Sequence, residues 1–378
     1  MHTLSGSFSV SYNFPVHFIE DVFNKGKETF STVLNLQQCD KPLILPVIEV
    51  EVARQFPSIV FEFNTMLKEL GLPVIPTLKI QGGEIGKNTP DLVGTIIDQC
   101  IEHQIDRQSY ILAIGGGAFI DMVGYAAAIA HRGIRLIRMP TTVLGQNDAG
   151  IGVKNAINYR NRKNFLGTFS PPYAVINDYR FITALSTRDK RAGIAEAIKV
   201  ALIKDSNFFE QLVNNAPALN DFESTEMKQM ITQCAALHLT HICNNGDPFE
   251  RGSARPLDFG HWSAHALEEL SNFSLRHGEA VAIGILIDSR YSFYLNWLSG
   301  DELALIENLI FTLGFQICTT TLIQLNIDES LDNFRIHLGG ELCITMLKGI
   351  GQSHEVNKID NQIMKRCVKD ILSFGVEK

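Results

Sequence analysis

The sequence of 378 residues has no C-x-x-C pair among its seven cysteines, no run of about 18 apolar residues and no cluster of lysine and arginine. Scattered cysteines argue against a disulfide framework and predict reduced thiols in a cytoplasmic protein. The missing apolar run, and an N-terminus without a basic and then an apolar region, predict neither a membrane-spanning helix nor a signal peptide. Because the net charge of −8 is spread over both signs, nucleic acid is not an expected partner.

What is present is ordinary globular composition, with 45% hydrophobic and 20% charged residues, in a chain long enough for two domains. Short apolar runs at 42–50, 72–80, 109–117 and 134–140 read as buried strands, with helix-like segments such as 92–103 between them. From Phe181 onward helical periodicity takes over. We therefore predict an α/β, parallel-sheet domain over residues 1–178 and a mainly helical domain over residues 179–378.

Three consecutive glycines at 115–117 follow an apolar strand and precede a helix rich in Ala and Gly. Such a turn lets backbone N–H groups approach a ligand, and the following helix N-terminus favours an anion such as a pyrophosphate. The strict G-x-G-x-x-G spacing is absent, so a closely packed structural turn explains the motif equally well. Glu49 at a strand end and "QGGEIGKN" (81–88), with Glu84 and Lys87, have the residue types of a nucleotide site. Taken alone, each is more typical of a surface loop.

The helix "GIAEAIKVALIKD" places Glu196 and Lys199 three residues apart, and therefore on one face. A charged pair of this kind is usually a solvated edge or an internal ion pair. Histidines in the region that follows change this interpretation, because His261 and His265 are one helical turn apart and His277 lies shortly after them.

Imidazole and carboxylate together suit a divalent ion such as zinc, and three protein ligands with an open position are typical of a catalytic metal site. Spacing does not decide which acid joins the histidines, and Glu196, Asp258 and Glu279 all qualify.

The stretch "PTTVLGQNDAGIGVKNAIN" (140–158) has neither a helical nor a strand period. It belongs to a group of polar residues in or beside glycine-containing turns after apolar strands, where α/β proteins bind ligands. The group consists of Arg132, Asp148, Lys154, Lys163 and Asn164. Two lysines and an arginine in one cavity would bind a phosphate.

Six motifs occur in the order found in one known family: "GGGAFIDMVGYAAAIAHRGI", "MPTTVLGQNDAGIGVKNAIN", "KNFLGTF", "GIAEAIK", "LDFGHWSAH" and "RHGEAVAIG". With them the chain resembles the 3-dehydroquinate synthase family, the sugar-phosphate cyclases, from about Glu49 to Gly351. The wording "PLDFGHWSAH" is most similar to the divergent cyclases of the ebo operons. The resemblance implies an N-terminal NAD-binding α/β domain, a helical metal domain, an active site in the cleft and a homodimer.

The resemblance also assigns roles to individual residues. The positions of the zinc ligands are held by Glu196, His261 and His277. The cofactor-binding positions are held by Glu49, Glu84, Lys87, Gly116, Gly117, Asp121, Thr141, Thr142, Asp148 and Lys163. The catalytic and substrate-binding positions are held by Asp148, Lys154, Asn164, Lys199 and His265, with Arg132 matching an arginine that reaches the phosphate from the partner subunit.

The reaction that the resemblance implies has no net redox change and makes the enzyme a carbon–oxygen lyase. NAD oxidises a ring alcohol of a seven-carbon sugar phosphate, phosphate is expelled, the hydride returns, and the opened enol closes by an aldol step. Zinc, or another divalent metal such as Co²⁺, would polarise the alcohol and ketone oxygens. The lysines and Arg132 would neutralise phosphate and enolate charge, and His265 would relay protons.

Departures from the family pattern concentrate where the substrate carboxylate would lie. Asp258 replaces an Asn, Ala254 stands where an Arg is expected, Thr240 takes the place of a Lys, and His337 lies near the lysine of a missing D-K-K motif. An Asp beside a substrate carboxylate would be repulsive by roughly 1 kcal/mol at surface-like screening. The substrate is therefore either the acidic one of 3-dehydroquinate synthase or a neutral sugar phosphate such as sedoheptulose 7-phosphate, as in valiolone-type or ebo-type cyclases. The retained His265 differs from the valiolone-type pattern.

Two other classes remain open. Iron-type alcohol and glycerol dehydrogenases share the implied fold but perform net hydride transfer, and the intact "KNFLGTF" and "GIAEAIK" segments with Lys154 argue against them. A non-catalytic binding protein is disfavoured by the complete set of metal ligands.

Overall fold

A computed structural model describes residues 2–36, 41–160, 162–244, 249, 256–317 and 319–374, and for Pro256, Thr319 and His337 it describes the backbone only. The chain divides into two units. Met1–Pro140 and Val153–Asp178 form an α/β unit, and Thr141–Gly152 and Tyr179–Lys378 form a helical unit. The α/β and helical classes predicted from the sequence are confirmed.

Eight strands belong to the α/β unit: β1 (Val16–Ile19), β2 (Ile44–Glu49), β3 (Leu78–Ile80), β4 (Tyr110–Gly115), β5 (Arg135–Pro140), β6 (Lys154–Tyr159), β7 (Arg162–Phe169) and β8 (Ala174–Asp178). Six of them form a parallel sheet in the order β1-β8-β5-β4-β2-β3. The central strands are almost wholly buried, and for this reason they read as continuous apolar runs in the sequence.

Seven helices accompany this sheet: α1 (Val22–Lys25), α2 (Lys27–Val33), α3 (Val50–Gln55), α4 (Ile59–Glu69), α5 (Gly83–Lys87), α6 (Asp91–Glu102) and α7 (Gly117–Ile129). Helix α7 contributes Phe119 and Val123 to a core that includes Ile111 and Ala113 of β4. The predicted run at 72–80 forms a strand only over its last three residues, because Pro73 and Pro76 lack the N–H that a sheet requires.

Strands β6 and β7 form a separate antiparallel hairpin, with Lys154 opposite Phe169 and Ala156 opposite Gly167. The segment "KNFLGTF" therefore lies on a hairpin strand. Its second residue, Asn164, has a φ of 54°, in the left-handed region that asparagine tolerates better than most residues.

The described residues of the helical unit form eleven helices: α8 (Arg180–Thr183), α9 (Thr187–Lys204), α10 (Ser206–Asn214), α11 (Ala216–Asn220), α12 (Ser224–Asn244), α13 (His261–Leu270), α14 (His277–Tyr294), α15 (Gly300–Thr312), α16 (Thr319–Leu322), α17 (Ile327–His337) and α18 (Asn361–Ser373). A small antiparallel pair, β9 (Ile344–Leu347) and β10 (Ser353–Val356), completes the unit. Helices α9 and α14 are buried along most of their length, which places their polar residues inside the protein.

The segment 141–152 groups with the helical unit, although the sequence prediction placed it in the first domain. It contains a π-helical turn, Gly145–Ala149, in which the Asn147 side-chain amide donates to the carbonyl oxygen of Gly193 on α9 at 2.9 Å. A methyl group on Gly193 would overlap Val143, so the glycine permits this close approach. Single-turn π elements are frequent at functional sites.

Four of the cysteines in the described part of the chain agree with the reduced state that the sequence indicates. Cys100, Cys234, Cys243 and Cys367 are free, and Cys39 and Cys318 lie outside the described residues. Among the helices described, none combines the length and the apolar character needed to span a bilayer.

Candidate functional site

Glu196 is the centre of a buried polar cluster on helix α9. Its side chain has no solvent exposure, and neither carboxylate oxygen makes a well-aligned hydrogen bond to a described residue. The ammonium group of Lys199, one turn further along the same helix, lies directly against Oε2. Because a buried carboxylate is costly unless all its acceptor positions are used, and Oε1 has no well-aligned hydrogen bond to a described residue, this geometry indicates a site for a second positive charge.

Two imidazoles face Glu196 from helices α13 and α14. The Nε2 atoms of His261 and His277 lie 3.8 Å and 3.4 Å from Oε1 of Glu196, and one donor atom from each of the three residues falls within 4.8 Å of the others. Ligand atoms around a tetrahedral zinc ion, each about 2.0–2.1 Å from the metal, are roughly 3.3 Å apart. The three side chains therefore fit a divalent metal ion.

Protonation in the cluster also suits a metal. Burial, and next the charge of Lys199, lower the pKa of His261 to about 3, so its imidazole is neutral near pH 7. Burial would raise the pKa of Glu196, but Lys199 and the two histidines hold it well below its ordinary value. Neutral imidazole and ionised carboxylate are the forms that bind divalent ions.

The far nitrogen of each histidine has its own partner. Nδ1 of His277 lies 3.0 Å from Oε2 of the buried Glu268, and Nδ1 of His261 lies 3.0 Å from the carbonyl oxygen of Phe259. Such partners fix the tautomer of each histidine and leave Nε2 as the nitrogen that faces Glu196. Sequence reasoning missed Glu268, although it lies seven residues after His261, two turns along the same helix.

Of the three acids left open by the sequence, the structure brings Glu196 to the histidines. Glu279 is engaged elsewhere, since both its oxygens are 2.6 Å from the Arg188 guanidinium and one also accepts the N–H of Arg276 at 2.9 Å. The charge of Asp258 acts on Lys199 instead, where it contributes to raising the pKa of the ammonium group.

Asp148 faces a histidine that the sequence analysis did not single out. Oδ1 of Asp148 lies 2.9 Å from Nδ1 of His238, a buried residue of α12. Burial would raise the pKa of Asp148, but the positive charges of His238 and Lys199 hold it below its ordinary value, against the charge of Glu196. The one feature of the sequence that pointed to His238 was a second histidine, His241, on the same helix, and His241 is also buried.

The remaining residues of the substrate-binding prediction do not all lie beside the Glu196 cluster. The ring of His265 lies 5.5 Å from that of His261 and 6.3 Å from that of His277, so it borders the cluster. Thr240 is on the exposed face of α12. Ala254 lies outside the described residues, as does the side chain of His337.

In the α/β unit, the predicted cofactor residues meet at the carboxyl end of the sheet. Oε2 of Glu49, at the end of β2, accepts the backbone N–H of Gly116 at 2.8 Å, where β4 passes into α7. A methyl group on Gly82 would overlap the Glu49 side chain, and one on Gly115 would come within 2.9 Å of its carboxylate. Burial raises the pKa of Glu49, while the Gly116 hydrogen bond opposes this shift.

Two of the predicted NAD contacts pair with each other. Nζ of Lys87 lies 2.6 Å from Oδ2 of Asp121, and Lys87 is buried. Most of the segment "QGGEIGKN" forms the short helix α5. Because Lys87 is buried, it is not the surface-loop residue that the motif alone suggests. No side chain caps α7, whose first turn begins at Gly117, so the glycine turn offers uncapped N–H groups beside Glu49.

Asn158 connects two predicted site residues. Its Nδ2 donates to Oε2 of Glu84 at 2.9 Å, and its Oδ1 accepts the backbone N–H of Asn164 at 2.9 Å. Asn158 is buried in the β6–β7 hairpin, whereas Lys154 at the start of β6 is exposed. Lys163 is half-buried in the same hairpin.

Replacing Asn158 by alanine is expected to lower the free energy of unfolding by about 1–3 kcal/mol, because it leaves the Asn164 N–H and the Glu84 carboxylate without this partner. Urea denaturation followed by circular dichroism would measure the change. Asn24→Ala is the control, since among the described residues the Asn24 side chain donates a hydrogen bond to Asp21 in an exposed setting. Equal changes in the two variants would contradict the bridging role.

Arg132 ends the 3₁₀ turn that follows α7. It is exposed, and its φ of 64° follows a φ of 50° at His131. Two successive residues with positive φ store backbone strain of the kind that often marks functional positions.

Comparison with known proteins agrees with this geometry. The family description "3-dehydroquinate synthase N-terminal" matches residues 77–192, and "3-dehydroquinate synthase C-terminal" matches residues 193–336. The 3-dehydroquinate synthase of Dehalococcoides mccartyi strain BAV1 is 36% identical over 345 residues, which are 91% of this chain and 92% of that protein. That of strain 195 is 39% identical over 237 residues, 63% of this chain and 65% of that protein.

A solved structure has the same fold. The 2-epi-5-epi-valiolone synthase of Streptomyces hygroscopicus subsp. jinggangensis, with NAD⁺ and Zn²⁺ bound, superimposes with a TM-score of 0.85 over 98% of this chain and 99% of that chain, at 24% identity. The two family descriptions together extend over residues 77–336, and the 36% identity extends over nine tenths of the chain. The chain therefore belongs to the 3-dehydroquinate synthase family.

Proposed function

We propose that the protein is an NAD- and metal-dependent sugar-phosphate cyclase, which eliminates phosphate from a seven-carbon sugar phosphate and closes a carbocycle without net oxidation. The observation that carries the proposal is the convergence of Glu196, His261 and His277 in a chain of this family. The relatives named 3-dehydroquinate synthase support the reaction class, and the valiolone synthase supports the NAD and zinc requirement by its bound ligands.

Glu196, His261 and His277 would hold the divalent metal, Zn²⁺ or Co²⁺. The Glu49 carboxylate and the N–H groups of the glycine turn would hold NAD, with Glu84, Lys87, Asp121, Thr141 and Thr142 as further contacts. When bound, the metal supplies Lewis acidity toward the substrate oxygens and NAD supplies reversible hydride acceptance.

Lys199 and Asp148 would act on the substrate itself. Burial lowers the pKa of Lys199, but Glu196 and Asp148 overcome this effect and raise it, so the side chain remains a cation that can stabilise a developing enolate. Asp148, kept ionised beside His238, would accept a hydrogen bond from a substrate hydroxyl. His265, at the border of the cluster, would carry protons.

Phosphate would be neutralised by Lys154, Lys163 and Arg132, with Asn164 as a hydrogen-bond donor. This assignment requires a homodimer, in which Arg132 of one protomer contacts the phosphate bound by the other protomer.

The charge around Lys199 favours a neutral substrate as the second candidate. Three carboxylates influence this one cation, those of Glu196, Asp148 and Asp258. A substrate carboxylate brought to the same place would meet repulsion from these acids, roughly 1 kcal/mol for each at a separation of about 4 Å in bulk water and more in the interior. Sedoheptulose 7-phosphate, which has no carboxylate, avoids this cost.

The test is phosphate release by the purified protein with NAD and zinc. It compares 3-deoxy-arabino-heptulosonate 7-phosphate with sedoheptulose 7-phosphate under identical conditions, with absorbance at the NADH wavelength followed in parallel. We expect phosphate release without accumulation of NADH. An Asp258→Asn variant would shift preference toward the acidic substrate if Asp258 selects against carboxylates.

Other outcomes would reject parts of the proposal. Continuous accumulation of NADH with an alcohol substrate would identify a dehydrogenase. Binding of zinc and NAD without phosphate release from either sugar would retain the cofactors and reject both substrates. Failure to bind either cofactor would point to a binding protein.

A further inference from the structure

The turn that leads into helix α13 is held by a carboxylate from helix α14. Oδ2 of Asp288 accepts the backbone N–H of Gly260 at 3.0 Å, and Oδ1 accepts the indole N–H of Trp262 at 2.8 Å. Asp288 is completely buried and Trp262 is 1% exposed. Both oxygens of one buried carboxylate are thus used to hold the two residues that flank His261.

The backbone at Gly260 is also held by a close contact with Gly284, which lies four residues before Asp288 on α14. A methyl group on Gly284 would overlap the carbonyl oxygen of Gly260, and Gly260 itself has a φ of 76°. Neither position accommodates a side chain without displacement of the turn. Gly284 and Asp288 lie on one face of α14, so that face determines where α13 begins.

This arrangement acts on His261, the first residue of α13. Its neighbours Gly260 and Trp262 are fixed by Asp288, and its Nδ1 is held by the Phe259 carbonyl oxygen. The remaining nitrogen, Nε2, therefore has one available direction, toward Glu196.

The second imidazole is on the helix that carries Asp288. His277 begins α14, and Glu268 of α13 reaches back to its Nδ1. Each of the two helices therefore supplies one imidazole to the cluster around Glu196 and one carboxylate, Glu268 or Asp288, that holds the first turn of the other helix.

We infer that Asp288 is a positioning residue for the metal centre, which fixes the His261 imidazole and thereby determines the affinity for the divalent ion. The inference rests on the metal role proposed above for Glu196, His261 and His277. Burying a carboxylate costs free energy that an apolar side chain would not incur. In this protein the Asp288 carboxylate accepts two N–H groups in fixed directions, which offsets part of that cost.

The experiment compares metal binding by Asp288→Asn with that of the parent chain. Zn²⁺ affinity is measured by competition with a chromophoric chelator on metal-stripped protein, and the visible absorption of the Co²⁺-loaded protein reports ligand geometry. Because loss of an outer partner typically weakens metal binding by 10–100-fold, we expect a loss in this range and an altered Co²⁺ spectrum.

Asp178→Asn is the matched control. Asp178 is also completely buried, and its two oxygens accept the N–H groups of Asp21 and Val22, each at 2.9 Å, in the α/β unit. We expect this variant to lose stability while its zinc affinity stays within twofold of the parent value. Equal losses of zinc affinity in the two variants would mean general destabilisation and would overturn the inference.

A second variant covers the case in which Asp288→Asn does not fold. Trp262→Phe keeps an aromatic ring at this buried position but removes the five-membered ring of the indole together with its N–H, and we expect a smaller loss of zinc affinity. Zinc affinity and a Co²⁺ spectrum like those of the parent would overturn the inference in either variant. This failure differs from failure of the proposed function, in which the parent binds zinc but releases no phosphate; a parent that binds no zinc would reject both.

Discussion

Replacing Glu196 by glutamine is expected to lower the free energy of unfolding of the metal-free protein by about 3–5 kcal/mol, because it leaves Lys199 as a buried cation without its nearest counter-charge. Asp148 and Asp258 compensate part of the loss, since both also stabilise the charged form of Lys199. Chemical denaturation in the presence of a chelator measures the change. Zinc binding and phosphate release should be lost in the same variant, because Glu196 is the carboxylate that faces both imidazoles among the described residues.

Two comparisons make this result specific. Glu69→Gln breaks the exposed ion pair with Lys27, and we expect a change below about 0.5 kcal/mol. The double variant Glu196→Gln, Lys199→Met removes both members of the buried pair and should regain most of the stability while zinc binding remains absent. If the double variant is no more stable than Glu196→Gln, the charge of Lys199 is not the cause of the loss.

Replacing Gly278 by alanine is expected to disrupt the metal site through the backbone. The added methyl group would overlap the carbonyl oxygen of Ala192, so helix α14 would have to move away from helix α9. Gly278 follows His277 directly and Ala192 lies one turn before Glu196, which means that the displacement separates two of the three metal-binding side chains. We expect destabilisation at the upper end of about 1–3 kcal/mol.

Activity should respond more strongly than stability to the same change. A shift of about 1 Å at a catalytic centre costs roughly 100-fold in rate, so phosphate release should fall by at least this factor. Gly94→Ala is the matched control, since Gly94 is an exposed residue of helix α6 and has no atom within 4 Å of an added methyl group. It should gain about 0.5–1 kcal/mol of stability. A Gly278→Ala variant with the zinc affinity of the parent would contradict the helix-contact argument.

The strands of the parallel sheet were predictable because their side chains are buried on both faces. The continuous apolar runs around Ile44–Glu49 and Tyr110–Gly115 exist for that reason, and turn residues mark their ends. Strands β1 and β8 were missed, since four or five residues give too short a pattern, and β8 ends in the polar pair Asn177 and Asp178.

The side chains proposed to bind the metal were predictable as types, but their selection required tertiary structure. Sequence spacing left Glu196, Asp258 and Glu279 equivalent, and only the position of Arg188 shows that Glu279 is already bound. The supporting residue Asp288 carried no signal in the sequence, and His238 carried only that of a second histidine on its helix, because both lie on helices remote in sequence from the residues they hold. Partners of this kind are determined by helix packing, which local periodicity does not encode.

The excursion of residues 141–152 into the helical unit makes neither unit a continuous piece of chain. A gene fragment beginning at Tyr179 would lack Asn147, whose amide caps the Gly193 carbonyl, and Asp148, the partner of His238. During synthesis on the ribosome, this segment leaves the exit tunnel before any of the helices that will enclose it. A chimera of this chain with a relative would therefore have to take both the short excursion and the C-terminal region from one parent to preserve the contacts of Asn147 and Asp148.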